Sequence, residues 1–466
     1  MKKLLSLILI GAMSASLLTG CTMGHTAETT QEAPEETADV PEETPEPTPE
    51  ITEEPAPLET PEPTPEATPE PEPVEAETVE PEPQEPIPDG MAKSALTGEY
   101  VSPELAAQRP IGFVIDNSKA AVPQSGISDA KIIYEAPVEG SYTRLFAVFE
   151  DVSGHGRIGP LRSCRDYFLS LTAGLDLIFT HYGQAAYALP YLESDYVDNV
   201  SGLLGSTYGC FYRDYTFHSG EHTAYIGADG INKAIDIRGY SRVHDDDFTP
   251  MYKFAWVGDE ITNEGGEDAA YLATGYPYNT PYFVYHPDEG VYYRYQFGDA
   301  HIDVENGEQL KTKNIILEYQ NYDIYQRQTI EHPVYLHFDT TAGGKGKYIT
   351  DGKAIDITWE RPSFWEPVIY RDMDGNELKI NTGKTWVLLI QNEYLGNCVI
   401  GADQGSAHPI ESAEEVAEAA QYNADWKAAY EYGEPNYLHI MAEELKQTLA
   451  SHNWVSKVEE ATVIRD

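Results

Sequence analysis

Residues 26–90 contain 17 prolines and 22 acidic side chains but neither lysine nor arginine. A stretch so poor in apolar residues and so rich in one charge has too little to bury to offset the entropy of ordering, so it cannot contribute to a core. Proline favours the extended polyproline II conformation and like charges oppose collapse, so these 65 residues would reach about 200 Å if fully stretched. The ragged PEPTPE repeat therefore reads as a stalk, and a spacer with no specific role fits it equally well. Setting it aside also revises the charge argument. The formal net charge of the chain is -48, but residues 91–466 carry 56 acidic and 28 basic side chains. What folds is still acidic, which makes nucleic acid and anionic membrane surfaces poor partners.

Ahead of the stalk, MKKLLSLILIGAMSASLLTGC has two lysines, an apolar run and small residues before a cysteine. This is the pattern of a lipoprotein signal peptide over 1–20, with Cys21 becoming the lipidated N-terminus. The run is too short and too close to the terminus for a membrane span. Several acyl chains on one residue, palmitate among them, give durable anchoring where a single chain does not. The chain is thus expected on the extracytoplasmic face of the cell membrane, with 21–93 as the lipidated cysteine and its disordered, acidic, proline-rich linker. An ordinary cleaved signal that happens to hold a cysteine is the plainer alternative. Beyond Cys21 only Cys164, Cys210 and Cys398 remain. Three cysteines allow one disulfide, with Cys164–Cys210 the candidate pair, or three buried thiols, and their spacing fits no zinc pattern.

Residues 94–248 read as a mixed α/β domain. IGFVID (111–116), KIIYEA (131–136), TRLFAVFE (143–150) and LDLIFTHYG carry strand patterns. Leu161, Cys164, Phe168, Leu171 and Leu175 recur at steps of three and four, which predicts a helix over 161–173 with Pro160 just ahead of it. Further helices are expected at 184–193 and near 229–238. Residues 249–402 alternate aromatic and β-branched positions with short turns and predict a mostly antiparallel β domain, PYFVYHPDEGVYYRYQF being a hairpin. The many tyrosines there can pack their rings and keep their hydroxyls wet. Residues 403–466 form a helical C-terminal extension, two helices broken at GEPN, with apolar positions at helical spacing. The fold class is therefore α/β followed by antiparallel β, with a helical tail and a disordered stalk.

RPIGFVIDNSKAAVPQSGISDAKIIYEAPVEGSYTRLFAVFE and IGPLRSCRDYF, then YYRYQFGDAHID, KNIILEY, DGKAIDITW and NTGKTWVLLI, resemble the YerB-like lipoproteins of Gram-positive bacteria, a domain of unknown function with N- and C-terminal parts. The resemblance runs from about Arg109 to about Ile390. It implies an envelope lipoprotein with an α/β domain and a β-rich domain, and it carries over no catalytic residue.

GRIGPLRSCRDYF (156–168) is the strongest local candidate for chemistry. Arg162 and Arg165 fall three apart in the first turn of the expected helix, where cations oppose the helix dipole and an anion would offset them. That anion is either internal (Asp116, Glu135, Glu139 or Asp166) or a bound ligand. Ligands in open α/β sheets collect beyond the carboxyl ends of parallel strands. Asp116 and Asn117 end one strand, His181 ends another, and Glu139 sits at a turn ending a third. Together with Arg144, Arg162, Ser163, Arg165 and His222 they would line a cleft for a polar ligand, or for acid–base work by His181 or Glu139.

Other motifs carry less. His218-Ser219-Gly220-Glu221-His222 spells H-x-x-E-H, but Gly220 and the missing apolar stripe argue against the helix that zinc chemistry needs. The resemblance implies a histidine only at His222. Ser163 lacks a nucleophile elbow and suits a helix cap. AGGKGK (342–347) reads as a hairpin turn rather than a phosphate loop, and DMDGNE (372–377) as a β-turn rather than a calcium loop. Two readings follow. One is a tethered binding or accessory protein holding a cell-wall anion or an envelope protein partner at Arg162 and Arg165. The other is a cell-wall-polymer hydrolase or transferase using His181, Glu139 and Arg162. Neither calls for a cofactor or a metal, and binding is favoured because no complete nucleophile, base and orienter can be assembled.

Overall fold

Alternate residues of Ile111–Asp116 (β1) face opposite ways, Ile111, Phe113 and Ile115 into one apolar cluster and Val114 into another. A strand buried on both faces needs layers on both sides. The computed structural model describes residues 85–203, 205–325 and 335–433. The expected signal peptide, Cys21, the expected stalk up to residue 84 and the helix expected after GEPN lie outside the described residues.

The further strands are Ile132–Pro137 (β2), Thr143–Phe149 (β3), Ile178–His181 (β4), Asn199–Ser201 (β5), Glu267–Asp268 (β6), Tyr271–Ala273 (β7), Tyr282–His286 (β8), Val291–Gln296 (β9), Asn314–Gln320 (β10), Gly344–Thr350 (β11), Lys353–Glu360 (β12), Ile369–Asp372 (β13), Thr385–Gln391 (β14) and Val399–Gly401 (β15). An 11-stranded sheet runs β6-β12-β11-β10-β14-β2-β3-β1-β4-β5, with β13 on the side of β12. It crosses the boundary expected at 248–249: Thr385–Leu388 of β14 pair in parallel with Ile132–Glu135 of β2. The described residues from Glu85 onward form one compact unit. The pairing has a simple cause. β14 and β2 are both buried nearly throughout, and such strands need neighbours on each edge as well as cover on each face.

One face is covered by the smaller sheet around β7, β8, β9 and β15 and by helix α2 (Ala228–Arg238), whose Ile231, Ala234 and Ile235 join the first cluster. Helix α1 (Asp166–Leu171) covers the other with Phe168, Leu169 and Leu171. The hairpin of β8 and β9 pairs as its sequence predicts. Helix α3 (Ala413–Gly433) opens with a reciprocal cap, the Glu415 carboxylate accepting from the Ser412 N–H at 2.9 Å and the Ser412 hydroxyl from the Glu415 N–H at 3.2 Å.

Several expectations change. The helix expected over 161–173 begins only at Asp166, and the stretch 184–193 holds a 3-10 turn at Ala186–Ala188 and a short helix at Leu189–Leu192. Gly344–Lys347 of AGGKGK open β11 instead of turning. Residues 85–93, assigned to the linker, already belong to the fold: the Glu85 carboxylate takes Lys93 and the Tyr100 hydroxyl, and Ala92–Lys93 pair with Tyr100–Val101. Many tyrosine hydroxyls are buried and bonded rather than wet, as where Tyr348 donates to Asn314 at 2.8 Å and Tyr276 to the Leu389 carbonyl at 2.8 Å. Cys164, Cys210 and Cys398 are free, buried thiols.

Candidate functional site

β1, β2 and β4 end, and β3 begins, at the same end of the large sheet: Asp116 lies opposite Arg144, and Pro137 opposite Thr143. Residues 158–165 cross this end in extended form. The Arg162 N–H donates to the Val114 carbonyl at 3.0 Å, its carbonyl accepts from Tyr182 at 3.0 Å, and Cys164 exchanges bonds with Gly183 and Ala185 at 2.9 Å. Those pairings on both sides use up the backbone groups that a helix would need, so tertiary structure overrides the three–four spacing. Arg165 becomes the cap residue of α1 and Arg162 is not helical, so the helix-dipole argument fails for Arg162.

What the crossing segment achieves is a cluster of three guanidinium groups. Arg165 is bidentate on Glu139, its Nε to Oε1 at 2.7 Å and its Nη2 to Oε2, and is stacked under Tyr335 at 5.0 Å. Arg162 contacts Asp116 Oδ2 at 3.2 Å and Glu221 Oε2 at 2.9 Å. Arg144 is buried, and its Nη1 donates to the Ser163 carbonyl. Among the described residues no carboxylate lies within salt-bridge distance of Arg144. Burial, then the charges of Arg165 and Arg162, push its pKa down to about 9, against the pull of Glu139 and Asp116.

Asp116 is buried and also accepts the His222 Nδ1–H at 2.7 Å and the Ser118 N–H at 2.9 Å. Burial alone would raise its carboxyl; the His222 bond and the Arg162 charge outweigh it and hold the pKa at about 2. The same bond raises the pKa of His222, which is half-buried. Glu221, lowered by the Arg162 bond, is 65% exposed at its side chain, so one arginine is covered by a carboxylate able to leave.

Asp116, Glu139, Arg144, Arg162, Ser163, Arg165 and His222 therefore come together. Ser163 contributes its carbonyl, at 3.3 Å from Arg165 Nη1, and among the described residues no histidine hydrogen-bonds its hydroxyl. Two expected members point elsewhere. His181 is buried, bonded through Nδ1 to the Gly183 carbonyl at 2.7 Å, has its pKa lowered by burial, and makes no bond to the arginines. Asn117 faces a second, fully buried polar network, donating to Thr143 at 2.8 Å and Glu135 at 3.2 Å. There Glu135, weighed above as a partner for the arginines, is taken by Arg294 at 2.8 and 3.0 Å. Arg294 Nη1 reaches His301 Nδ1 at 2.5 Å, and His301 Nε2 donates to Gln124 at 2.7 Å. The two histidines of H-x-x-E-H also diverge: His218 bonds the Pro123 carbonyl at 3.0 Å while His222 turns to Asp116. Glu221 was legible only as the middle of that motif; no local pattern ties it to an arginine 59 positions away. Asp372 organises the 372–377 turn, accepting from the Asp374 and Asn376 N–H groups at 3.0 and 2.9 Å.

Fold and site define a mixed α/β protein with a charged cluster at strand ends. The chain belongs to the DUF3048 family: residues 96–241 match the "Protein of unknown function (DUF3048) N-terminal domain" and 272–387 its C-terminal domain. It is 30% identical over 298 residues to the "Putative lipoprotein YerB" of Bacillus subtilis, covering 64% of this chain and 86% of that protein. The crystal structure of YerB from Bacillus subtilis matches with a TM-score of 0.55 at 28% identity, over 68% of this chain and 98% of the other. Among the described residues no helix is long and apolar enough to cross a membrane.

Proposed function

We propose that this is a lipid-anchored, extracytoplasmic binding protein that holds an anionic envelope ligand at Arg144, Arg162 and Arg165. The observation that carries this reading is Arg144, a buried guanidinium flanked by two others with no carboxylate of its own. A buried cation without a counter-charge is costly, and an incoming anion would supply one. The ligand would take the place of Glu221 on Arg162, and protonated His222 would add a donor. Cys21 and the stalk would set the reach from the membrane. The hydrolase alternative is not favoured: Glu139 is held by Arg165 and His181 faces inward.

The test is thermal shift by polyanionic wall fragments, compared between the natural chain and Arg144→Gln and Arg162→Ala variants. A shift lost in both variants supports the reading; a shift retained in both refutes it. Replacing Cys21 by alanine should release the protein from the membrane fraction, and retention there would refute the anchor.

A further inference from the structure

The arginine cluster has an aromatic border. Tyr142 stands two positions before Arg144 in extended backbone, φ -72° and ψ 161°, so the two side chains leave the strand end on the same side. Asp116, the cross-strand partner of Arg144, shares that side. The Tyr142 ring is 39% exposed and packs on Tyr278 with centroids 4.1 Å apart, and Tyr278 meets Phe297 edge-on at 5.4 Å. Tyr278 and Phe297 follow β7 and β9, so the second family segment borders a cluster whose arginines all come from the first.

Backbone bonds hold this border against the charges. The Ser118 N–H donates to Asp116 at 2.9 Å, and the next amide, that of Lys119, donates to the Tyr278 hydroxyl at 3.2 Å. Two successive amides thus tie a carboxylate that holds Arg162 to the aromatic pair, across at most about 10 Å for ordinary peptide dimensions. The Tyr278 hydroxyl first, with Asp116 and Glu221 also contributing, raises the pKa of Tyr142, as expected of a phenol facing the two carboxylates on Arg162. The charged groups are reachable as well. Arg144 Nη1 donates to the Ser163 carbonyl, while its Nε and Nη2 have no hydrogen-bond partner among the described residues and are not sealed from solvent.

An exposed ring beside guanidinium groups suits a ligand that is apolar on one face and anionic at one end. A pyranose bearing an acid group has that form: one face presents C–H groups to the negative face of an aromatic ring, and its hydroxyls stay in water or meet the tyrosine hydroxyls. We infer that the anion taken by the arginines is the phosphate or carboxylate of a saccharide whose ring lies on Tyr142; this rests on the reading of Arg144, Arg162 and Arg165 as an anion site.

Calorimetric titration of the full chain with glucose 1-phosphate, glycerol 3-phosphate, glucuronate and methyl glucoside tests this. Glucose 1-phosphate should bind about tenfold more tightly than glycerol 3-phosphate, the effect of withdrawing about 50 Å² of apolar contact from water. Tyr142→Ala should abolish that margin, and Tyr142→Phe, which keeps the ring, should preserve it. Glucuronate against glucose 1-phosphate separates a carboxylate-bearing sugar from a phosphate-bearing one, and either bound in a Tyr142-dependent way supports the inference. Equal affinity for the two phosphates, a margin that survives Tyr142→Ala, or methyl glucoside binding as tightly as the acids would overturn it. Glycerol 3-phosphate binding that is lost in Arg144→Gln would then show the anion site standing without the saccharide. No binding of any of the acids also overturns the inference, and the shift by wall fragments judges the anion site separately.

Discussion

Arg144 sits where its own charge is least welcome, and that makes stability and binding separable. Arg144→Gln removes a desolvated cation from beside two others, so the midpoint of urea unfolding should hold or rise while the shift by wall fragments disappears. A loss of stability with binding intact would mean that the guanidinium is structural. Glu221→Gln should act oppositely on binding, tightening it several-fold by removing the competing carboxylate from Arg162. The His222–Asp116 bond adds a pH dependence. The histidine pKa is raised on folding, so its contribution to stability is complete below the ordinary value of about 6.5 and is lost as pH rises through the raised value. The Asp116 carboxyl is lowered, so its contribution is present above its ordinary range and is lost as pH falls toward about 2. Asp116→Asn should flatten the decline above pH 6.5 in chemical unfolding measured across pH 5–9. In the buried network, Glu135→Gln leaves Arg294 uncompensated inside the protein and should cost about 3–5 kcal/mol of unfolding free energy.

Among the elements, those whose signal is local were legible. β1, β2, β3 and the β8–β9 hairpin follow their apolar runs and turns, and α2 ends at Gly239 in the left-handed conformation, φ 72°. An added Cβ there meets nothing within 4 Å, so Gly239→Ala should cost about 1 kcal/mol through backbone strain alone, read from the unfolding midpoint. Gly112 differs: a Cβ on β1 would lie 2.2 Å from the Phe146 ring, so this glycine lets an aromatic pack on the strand. Residues 161–165 show where the pattern misleads. Leu161 and Cys164 are apolar at helical spacing, yet both are buried because the segment is sandwiched between β1 and residues 182–185. A buried extended segment and a helical stripe can share one sequence pattern, and only the partners tell them apart.

At the scale of the whole molecule, the two family segments share a sheet and an ion pair. β14 lies on β2, and Glu135 of the first segment meets Arg294 of the second. Unfolding should therefore be one transition, with tryptophan fluorescence and far-ultraviolet dichroism coincident in urea. Residues 94–248 expressed alone should aggregate, since they expose the edge of β2 and bury Glu135 without its partner. Two separated transitions would show that the segments are independent. The sequence alone established that residues 91–466 are acidic and that an α/β pattern gives way to antiparallel β, because charge and side-chain periodicity are written along the chain. Tertiary structure alone decided which carboxylate meets which arginine. Asp116, Glu139 and Glu221 reach Arg162 and Arg165 across strand ends, and Arg144 is left without one, because charge pairing depends on a spatial neighbourhood that sequence spacing does not encode.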